Sequence, residues 1–544
     1  MPPSDARHSP GGGRRAARRA DRAARRAAAQ SDSGRRRRWP RRVALGALAL
    51  VLVGTGVVVS GVADPVLAPV ADPLTQAAQD ALDGLSDATS STSGTTRETD
   101  PALVEAPSGL DLATPTPAAA AAEAATSSAL SRSAVRAVLR KALKANALGG
   151  HVSAAVADLD GDLVLDTGGA AIPASTTKLL TSAAALETVG AGTTFATTTV
   201  RQGRTVVLVG GGDPFLASSP TSDDTWPARA DVTTLARRTA AALVEQLADA
   251  PAKQRRLRVA YDDSLFSGPA FNTSWPASYR GEVAPPTSAL WVDEGTDLDG
   301  SGDYSSTPAA DAASVFDSAL AAALAQQAKR TGVTVTLVGT TSRTTASASA
   351  TDLAAVHSAT VAQIVQQLLQ VSDNNAAEVL LRQVGLATSG TGSTAAGLTG
   401  VRHLLRSLDV ELPVRQLDGS GLSRRNRIDP ATLVGLLAAA ADSDDDSPLR
   451  GLFPGLPAAG STGSLAYRFT DAPAAAVGHV RAKTGTLTNV TSLAGIALDR
   501  NGVPMVFALM ADDVADADAL TGREALDDAA AALAACACGV GASD

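Results

Sequence analysis

A pattern of short, mainly apolar runs separated by polar turn residues predicts short strands at both ends of the folded part of this chain. Residues 152–160 (VSAAVADLD) and 163–168 (LVLDTG) flank a Gly-Asp turn, a pattern that predicts a hairpin. Further along, HVRAKTGTL, TSLAGIALD and VPMVFALMA predict three strands around an Asn501-Gly502 turn, and an Ala-rich helix follows them. We expect the two groups of strands to share one sheet.

Helical periodicity appears in other parts of the chain. A first helix is predicted from apolar residues at helical spacing, namely Val135, Val138, Leu139 and Leu143. After Pro173, the run KLLTSAAALETVG predicts a second helix. Residues 195–345 carry several short strand-like runs and one helical run, SVFDSALAAALAQQAKRTG, which favours a separate inserted region.

The segment from Val43 to Ala63 is uncharged. At about 1.5 Å per residue, a helix of that length spans about 30 Å, the hydrocarbon thickness of a bilayer. The preceding RRRRWPRR keeps its side in the cytoplasm by the positive-inside rule, so the body of the protein is expected outside. Gly61-Val62-Ala63 resembles a cleavage site, but the apolar run is longer than that of an ordinary signal peptide, which favours a retained anchor.

Charge and composition divide the chain around this segment. Residues 1–42 form a basic head with fourteen of the 47 Lys and Arg residues, which leaves 33 basic against 52 acidic residues in the remainder. Residues 64–128 are rich in Ala, Pro, Ser, Thr and Asp and are expected to form a disordered linker. An acidic body lacks the basic face that binds phosphates, so nucleic acid is not an expected partner.

Cysteine and histidine offer few metal ligands. The chain has only two cysteines, Cys536 and Cys538, and its five histidines show no metal-binding spacing, so no metal or cofactor is expected. Two cysteines this close together either form a small bridge or remain unpaired thiols, and the sequence leaves both possibilities open.

Three short motifs follow one another along the chain, Ser175-Thr176-Thr177-Lys178, Ser372-Asp373-Asn374 and Lys483-Thr484-Gly485. Each occurs by chance in many proteins of this length, so the information lies in their order and setting. For the middle motif a structural alternative exists, in which Ser372 or Asp373 caps a helix.

The first motif predicts a nucleophile and its base. Pro173 and the apolar pattern that follows put Ser175 in the first turn of a helix, where residues three apart face the same side. Lys178 is therefore within reach of the Ser175 hydroxyl as a general base, provided that burial or a second cation such as Lys483 lowers its pKa. Only six of the 47 basic residues are lysines, and a guanidinium cannot replace an amine as a base.

The other two motifs predict the rest of a catalytic cleft. The hydroxyl of Ser372 suits relay of a proton to a leaving amine, and the amide of Asn374 suits a substrate backbone group. The third motif lies in a predicted strand, where Gly485 allows a close approach. Lys483 and Thr484 suit a substrate carboxylate.

With these motifs and the stretches VGGGDPFLA, APPTSALWVDEG and LDGSGLSRRNRI, the chain resembles the penicilloyl-serine transferase superfamily, specifically the class C low-molecular-mass penicillin-binding proteins. The resemblance implies an α/β (α+β) transpeptidase/β-lactamase-like core at residues 131–194 and 346–535. A mostly β insertion at residues 195–345 would separate the first and second motifs. The backbone N–H groups of Ser175 and Thr486 would form an oxyanion hole, and the segment from Asp418 to Ser423 would shape the cleft.

The function implied by the resemblance is that of a serine D-Ala-D-Ala carboxypeptidase or endopeptidase, which cleaves peptidoglycan stem peptides through an acyl-serine. The catalytic residues would be Ser175, Lys178, Ser372, Asn374 and Lys483. Substrate would be bound by Thr484, Gly485 and Thr486, and β-lactams would acylate the same serine. Two alternatives stay open: a β-lactamase, for which Glu378 has no accompanying Asn at the expected place, and a non-catalytic wall-binding module on the same fold.

Overall fold

The computed structural model describes residues 129–470, 472 and 474–540. The predicted basic head at 1–42, the predicted membrane segment at 43–63 and the predicted linker at 64–128 lie outside the described residues. Within the described part of the chain, no helix is both long and apolar enough to cross a membrane.

The described residues form both helices and strands, with a run of consecutive helices between the two groups of strands that end at residues 357 and 511. The α-helices are α1 Arg132–Ala142, α2 Lys178–Ala184, α3 Val232–Leu247, α4 Pro308–Thr331, α5 Val361–Val371, α6 Asn374–Ser389, α7 Thr394–Ser407, α8 Pro430–Ala441, α9 Leu452–Gly455 and α10 Ala519–Ala535. The strands are β1 Val152–Ala157, β2 Leu163–Thr167, β3 Ala196–Gln202, β4 Thr205–Val209, β5 Arg256–Asp262, β6 Thr336–Leu337, β7 Ser342–Arg343, β8 Thr351–His357, β9 Val480–Leu487, β10 Val490–Leu498 and β11 Pro504–Ala511.

The central sheet is antiparallel and has the strand order β2-β1-β11-β10-β9. β1 pairs with β2 on one side and with β11 on the other, where Val152 lies opposite Ala511. β10 pairs with β11 and β9 and places Ser492 opposite Gly485. The first hairpin is therefore confirmed, and the two groups of predicted strands share one sheet.

The central sheet separates two cores, because successive residues of a strand point to opposite faces. On one face, Val156 and Leu493 pack with buried side chains of α1 and α10. On the other face, Ala155 and Ala494 belong to the core formed with α2, α5, α6, α7 and α8. The helices that carry the first two motifs thus lie on this second face.

The inserted region has its own sheet, with the order β6-β5-β4-β3-β8 and with β7 paired to β5. α3 and α4 contribute to a separate core that includes Leu208, Leu243 and Phe316. The region is mixed rather than mostly β, because α3 and α4 contain 16 and 24 residues. The sequence patterns do not predict α3, which begins with the β-branched Val232, a residue type common in strands.

This second sheet extends past the predicted boundary at residue 345. β8 pairs with β3 and places Ala196 opposite His357, so it belongs to the inserted region although it lies within the expected core segment 346–535. Its sequence, TDLAAVH, shows no clear alternation of apolar and polar residues. Only the pairing with β3 identifies it as part of the insertion.

The two ends of the described region meet at one place. Ser131 N donates to Cys538 O over 2.7 Å, and Val540 N donates to Ala129 O over 2.7 Å. Cys536 and Cys538 form a disulfide, the first of the two possibilities that the sequence leaves open.

Candidate active site

Ser175 lies in a 3₁₀ turn, residues Ala174–Thr177, directly before α2. The prediction put it in the first turn of the α-helix itself. The backbone differs because Ala174 has a φ of +47°, outside the right-handed helical region. Gly421 faces this bend, and a Cβ atom at residue 421 would lie 1.9 Å from Ala174 O. Glycine there lets the loop of Gly421 lie against the turn that carries the serine.

Lys178 begins α2 and has no exposed surface. Its Nζ lies 2.8 Å from Ser175 Oγ, 2.7 Å from Asn374 Oδ1 and 2.8 Å from Ser420 O. An uncharged amine has two N–H groups and one lone pair, so it can donate to Asn374 and Ser420 while it accepts the proton of Ser175. The three partners of Lys178 therefore fit a general base.

Burial lowers the pKa of Lys178 to about 8. The carboxylates of Asp373, Asp418 and Glu378 act in the opposite direction, because negative charge favours the ammonium form. A base whose pKa lies this close to neutral pH can both take up and return a proton during a reaction.

The second motif forms the junction between α5 and α6. Ser372 ends α5 in the left-handed conformation, with a φ of +62°. Asp373 caps α6 and accepts a hydrogen bond from Ala376 N over 2.9 Å. Asn374 is the first residue of α6 and reaches Lys178. Asp373 is therefore a helix cap, as the structural alternative predicts. This leaves the side chains of its neighbours Ser372 and Asn374 in contact with the two motif lysines.

The third motif places a second buried lysine beside the second motif. Lys483 Nζ donates to Ser372 Oγ over 2.8 Å and to Thr484 O over 2.8 Å. Burial lowers the pKa of Lys483 well below its ordinary value, and the positive charges of Lys178 and Arg468 act in the same direction. A bound carboxylate would oppose this shift by favouring the ammonium form.

Gly485 is the point at which β9 passes Ser175. A Cβ atom at residue 485 would lie 2.1 Å from Ser492 Oγ, 2.7 Å from Pro173 O and 3.0 Å from Ser175 N. Ser492 Oγ donates to Pro173 O over 2.6 Å and so ties β10 to the same turn. Only glycine leaves room for this approach, and the next residue, Thr486, is exposed on β9.

The sequence patterns do not predict the hydrogen bonds that hold the Ser420 loop beside Lys178. The carboxylate of Glu378 accepts hydrogen bonds from Gly419 N over 2.9 Å and Ser420 N over 2.8 Å, and Ser420 O is a partner of Lys178. Burial and the charge of Asp418 raise the pKa of Glu378 to about 7. The sequence does contain one indication of this position for Glu378. It follows Asn374 by four residues, a spacing that puts both side chains on the same side of α6.

Asp418 holds the rest of this segment together. Its buried carboxylate accepts hydrogen bonds from Trp275 Nε1 over 2.7 Å, Asn426 Nδ2 over 2.7 Å and Ser423 N over 2.6 Å. Trp275 belongs to the inserted region, so this contact joins the insertion to the catalytic domain. Shaping of the cleft by this segment stays a prediction.

The motif residues thus form two hydrogen-bonded sets, one of Ser175, Lys178 and Asn374 and one of Ser372 and Lys483. The second motif joins the two sets, because it contributes to both. Thr484 contacts neither serine of the motifs, and its hydroxyl pairs with Ser464 Oγ at 2.8 Å. Among the described residues, no three His, Cys, Asp or Glu side chains are arranged to hold a metal ion.

Sequence comparison gives matches over most of the chain. The family model described as D-Ala-D-Ala carboxypeptidase 3 (S13) matches residues 135–299 and 296–533. Carboxypeptidase DacB of Mycolicibacterium smegmatis is 35% identical over 404 residues, which cover 72% of this chain and 82% of that protein. Carboxypeptidase Rv3627c of Mycobacterium tuberculosis is 36% identical over 380 residues, which cover 68% of this chain and 76% of that protein.

Structural comparison confirms the fold class. Penicillin binding protein 4 of Haemophilus influenzae aligns with a TM-score of 0.57 and 18% identity, covering 73% of this chain and 97% of that one. A second structure of the same protein, in complex with a novel β-lactam, aligns with a TM-score of 0.51. On the extent of the sequence matches, the chain belongs to the D-Ala-D-Ala carboxypeptidase 3 (S13) family.

Proposed function

We propose that this serine-type D-Ala-D-Ala carboxypeptidase uses Ser175 to attack the carbonyl carbon of the penultimate D-alanine in a peptidoglycan stem peptide. The observation that carries the proposal is the 2.8 Å contact between Lys178 Nζ and Ser175 Oγ, made by a buried amine with a pKa of about 8. Lys178 takes the hydroxyl proton as the bond from Ser175 Oγ to carbon forms.

The leaving group departs when the tetrahedral intermediate collapses. The carbon–nitrogen bond breaks, and the proton that Lys178 took from Ser175 passes to the amine of the terminal D-alanine, relayed through Ser372, whose hydroxyl contacts Lys483. Lys178 is then neutral again and takes one proton from the water that attacks the acyl ester. As the ester bond breaks, Lys178 returns this proton to Ser175 Oγ, and the shortened peptide leaves as its carboxylate. A cross-linked neighbour in place of free D-alanine makes the same step an endopeptidase reaction.

Substrate binding is assigned to the strand beside the serine. Lys483 and Thr484 hold the terminal carboxylate, whose charge favours the ammonium form of Lys483. The backbone N–H groups of Ser175 and Thr486 hold the developing oxyanion. The close passage of Gly485 past Ser175 N supports this assignment, because it brings the β9 backbone to the nucleophile.

β-Lactams are proposed to acylate Ser175 as well, since they present a reactive carbonyl beside a carboxylate. A β-lactamase would need a further group that activates water for rapid release of the drug. Glu378 does not fit that role, because it is buried and its carboxylate is held by Gly419 N and Ser420 N. The acyl group that a β-lactam leaves on Ser175 is therefore expected to be released slowly.

The compartment is proposed from the sequence alone. The uncharged segment 43–63 behind a basic head supports a membrane-anchored protein whose catalytic body acts outside the cytoplasm. Fractionation of cells that express the full chain, followed by protease treatment of intact spheroplasts, tests this. A body that stays protected from protease would contradict it.

Intact-protein mass spectrometry of the full chain after incubation with benzylpenicillin tests the chemistry, with Ser175→Ala as the control. A single adduct that disappears in the variant supports the acyl-serine. Consumed antibiotic without an adduct favours the β-lactamase, and intact antibiotic without an adduct favours the non-catalytic module.

A further inference from the structure

The inserted region contacts the second motif through a short segment, Asp293–Gly295. Asp293 and Glu294 both have left-handed backbones, with φ values of +49° and +60°, which is a costly conformation for residues that carry a side chain. The segment is held there by its neighbours, since Asp293 N donates to Leu216 O over 2.9 Å and Asp293 Oδ1 accepts from Ser218 N over 3.1 Å. The insertion thus presents Glu294 in a fixed position.

Glu294 and its neighbour Tyr304 contact both residues that flank Asn374. The side chain of Glu294 forms a hydrogen bond with the side chain of Asp373. Asn375 Nδ2 donates to Glu294 O over 3.4 Å, and the Asn375 side chain also forms a hydrogen bond with Tyr304. Asn374 itself is directed at Lys178. The loop that orients the general base is therefore held from outside the catalytic domain.

The contact between Glu294 and Asp373 joins two carboxyl groups, so one of them must carry a proton to act as the donor. Burial and the charge of Asp373 raise the pKa of Glu294 to about 9, although Arg229 lies 3.4 Å from Glu294 Oε1 and acts in the opposite direction. The raised pKa of Glu294 favours its protonated form as the donor of this hydrogen bond.

We propose that Glu294 is a positioning residue for acylation: by donating a hydrogen bond to Asp373 it holds the loop of Ser372, Asp373 and Asn374 against the two motif lysines. The role rests on the proposed function, because it acts through Asn374 on Lys178 and through Ser372 on Lys483. The insertion then helps to position the catalytic residues.

The test compares Glu294→Ala with Glu294→Gln in the full chain, because an amide keeps the ability to donate to Asp373 and a methyl group does not. Stopped-flow acylation by a fluorescent penicillin separates the dissociation constant K from the acylation rate constant k2. Glu294→Ala is expected to lower k2 by about 10- to 100-fold, the scale of a displaced catalytic group, with little change in K. Glu294→Gln is expected to stay near the native k2.

Glu282, an exposed glutamate of the same region, provides the matched control, and Glu282→Ala should acylate like the native protein. Thermal unfolding of every variant shows whether each one is folded. A native k2 in Glu294→Ala, an equal loss in Glu294→Gln, or a change confined to K would overturn the role of Glu294. A native protein that is not acylated at all would instead overturn the proposed function, and this role with it.

Discussion

Lys178 Nζ and Ser175 Oγ lie 2.8 Å apart, and the lysine has no exposed surface. Lys178 acts as a base only when it is neutral, and burial lowers its pKa to about 8. The second-order rate of acylation by benzylpenicillin should therefore rise about tenfold per pH unit below pH 8 and level off above it. Initial rates between pH 5.5 and 9.5 check this, and a profile that stays flat down to pH 6 would argue against Lys178 as the base.

Replacement of this lysine by arginine keeps a positive charge but removes the base, because guanidinium stays protonated. Lys178→Arg is expected to lower acylation by about 10²- to 10⁴-fold. Lys329→Arg, the same change at an exposed position near the end of α4, should have no effect. Equal acylation by the two variants would remove Lys178 from the mechanism.

Gly485→Ala should damage catalysis more than stability. Its methyl group would overlap Ser492 Oγ and press on Pro173 O and Ser175 N, so the nucleophile has to move away from β9. We expect a loss of acylation of about 100-fold, as for other displaced catalytic groups. The matched control is Gly192→Ala, where a Cβ atom would meet nothing within 4 Å. Circular dichroism melts and acylation rates of both variants make the comparison.

Glu378→Ala removes the acceptor of two buried N–H groups, those of Gly419 and Ser420. At about 1–3 kcal/mol for each of the two unsatisfied groups, the free energy of unfolding should fall by about 2–6 kcal/mol. Glu378→Gln should recover most of the loss, because the amide oxygen still accepts hydrogen bonds. Urea unfolding measures both, with the exposed Glu245→Ala on α3 as the control. An unchanged urea midpoint in Glu378→Ala would contradict this account.

The buried ion pair of Arg468 and Asp527 is expected to matter for stability, unlike the exposed pair of Arg450 and Asp445. Arg468 Nε and Nη2 donate to Asp527 at 3.0 and 2.7 Å, whereas the side chain of Asp445 is 99% exposed. Asp527→Ala removes the buried carboxylate partner of a guanidinium whose side chain is only 15% exposed, and it should cost about 3–5 kcal/mol. Asp445→Ala should cost less than about 1 kcal/mol. Similar losses in the two variants would show that burial does not decide the strength of these pairs.

The sequence predicted the central sheet and the three motifs because both depend on local patterns. Short, mainly apolar runs bounded by turn residues identify β1, β2, β9, β10 and β11, and each motif is a contiguous string. A lysine three residues after Ser175 could be placed beside it from helix geometry alone. The pairing of Lys483 with Ser372 has no such local signal, since only the fold brings them together.

The missed features depend on contacts between distant segments. Ser420 acts through its backbone oxygen, which has no residue-specific signature, and Glu378 acts on the backbone of that same loop. β8 lacks alternation and is recognised only by its partner β3. The role proposed for Glu294 depends on its contact with Asp373. Neither local sequence predicts this contact, because the two residues lie in distant parts of the chain.

The antiparallel pairing of β1 with β11 also has a consequence for the timing of activity. A chain is made from its amino terminus, so Ser175 and Lys178 are synthesised long before Gly485 and the strands that flank it. β1 has no neighbour on its β11 side until residues 504–511 have appeared. Such distant pairing is slow to form, because a long loop must close first. A chain interrupted before residue 485 would carry Ser175 and Lys178 without the strand that faces them, so the complete site can form only after nearly the whole polypeptide has been synthesised.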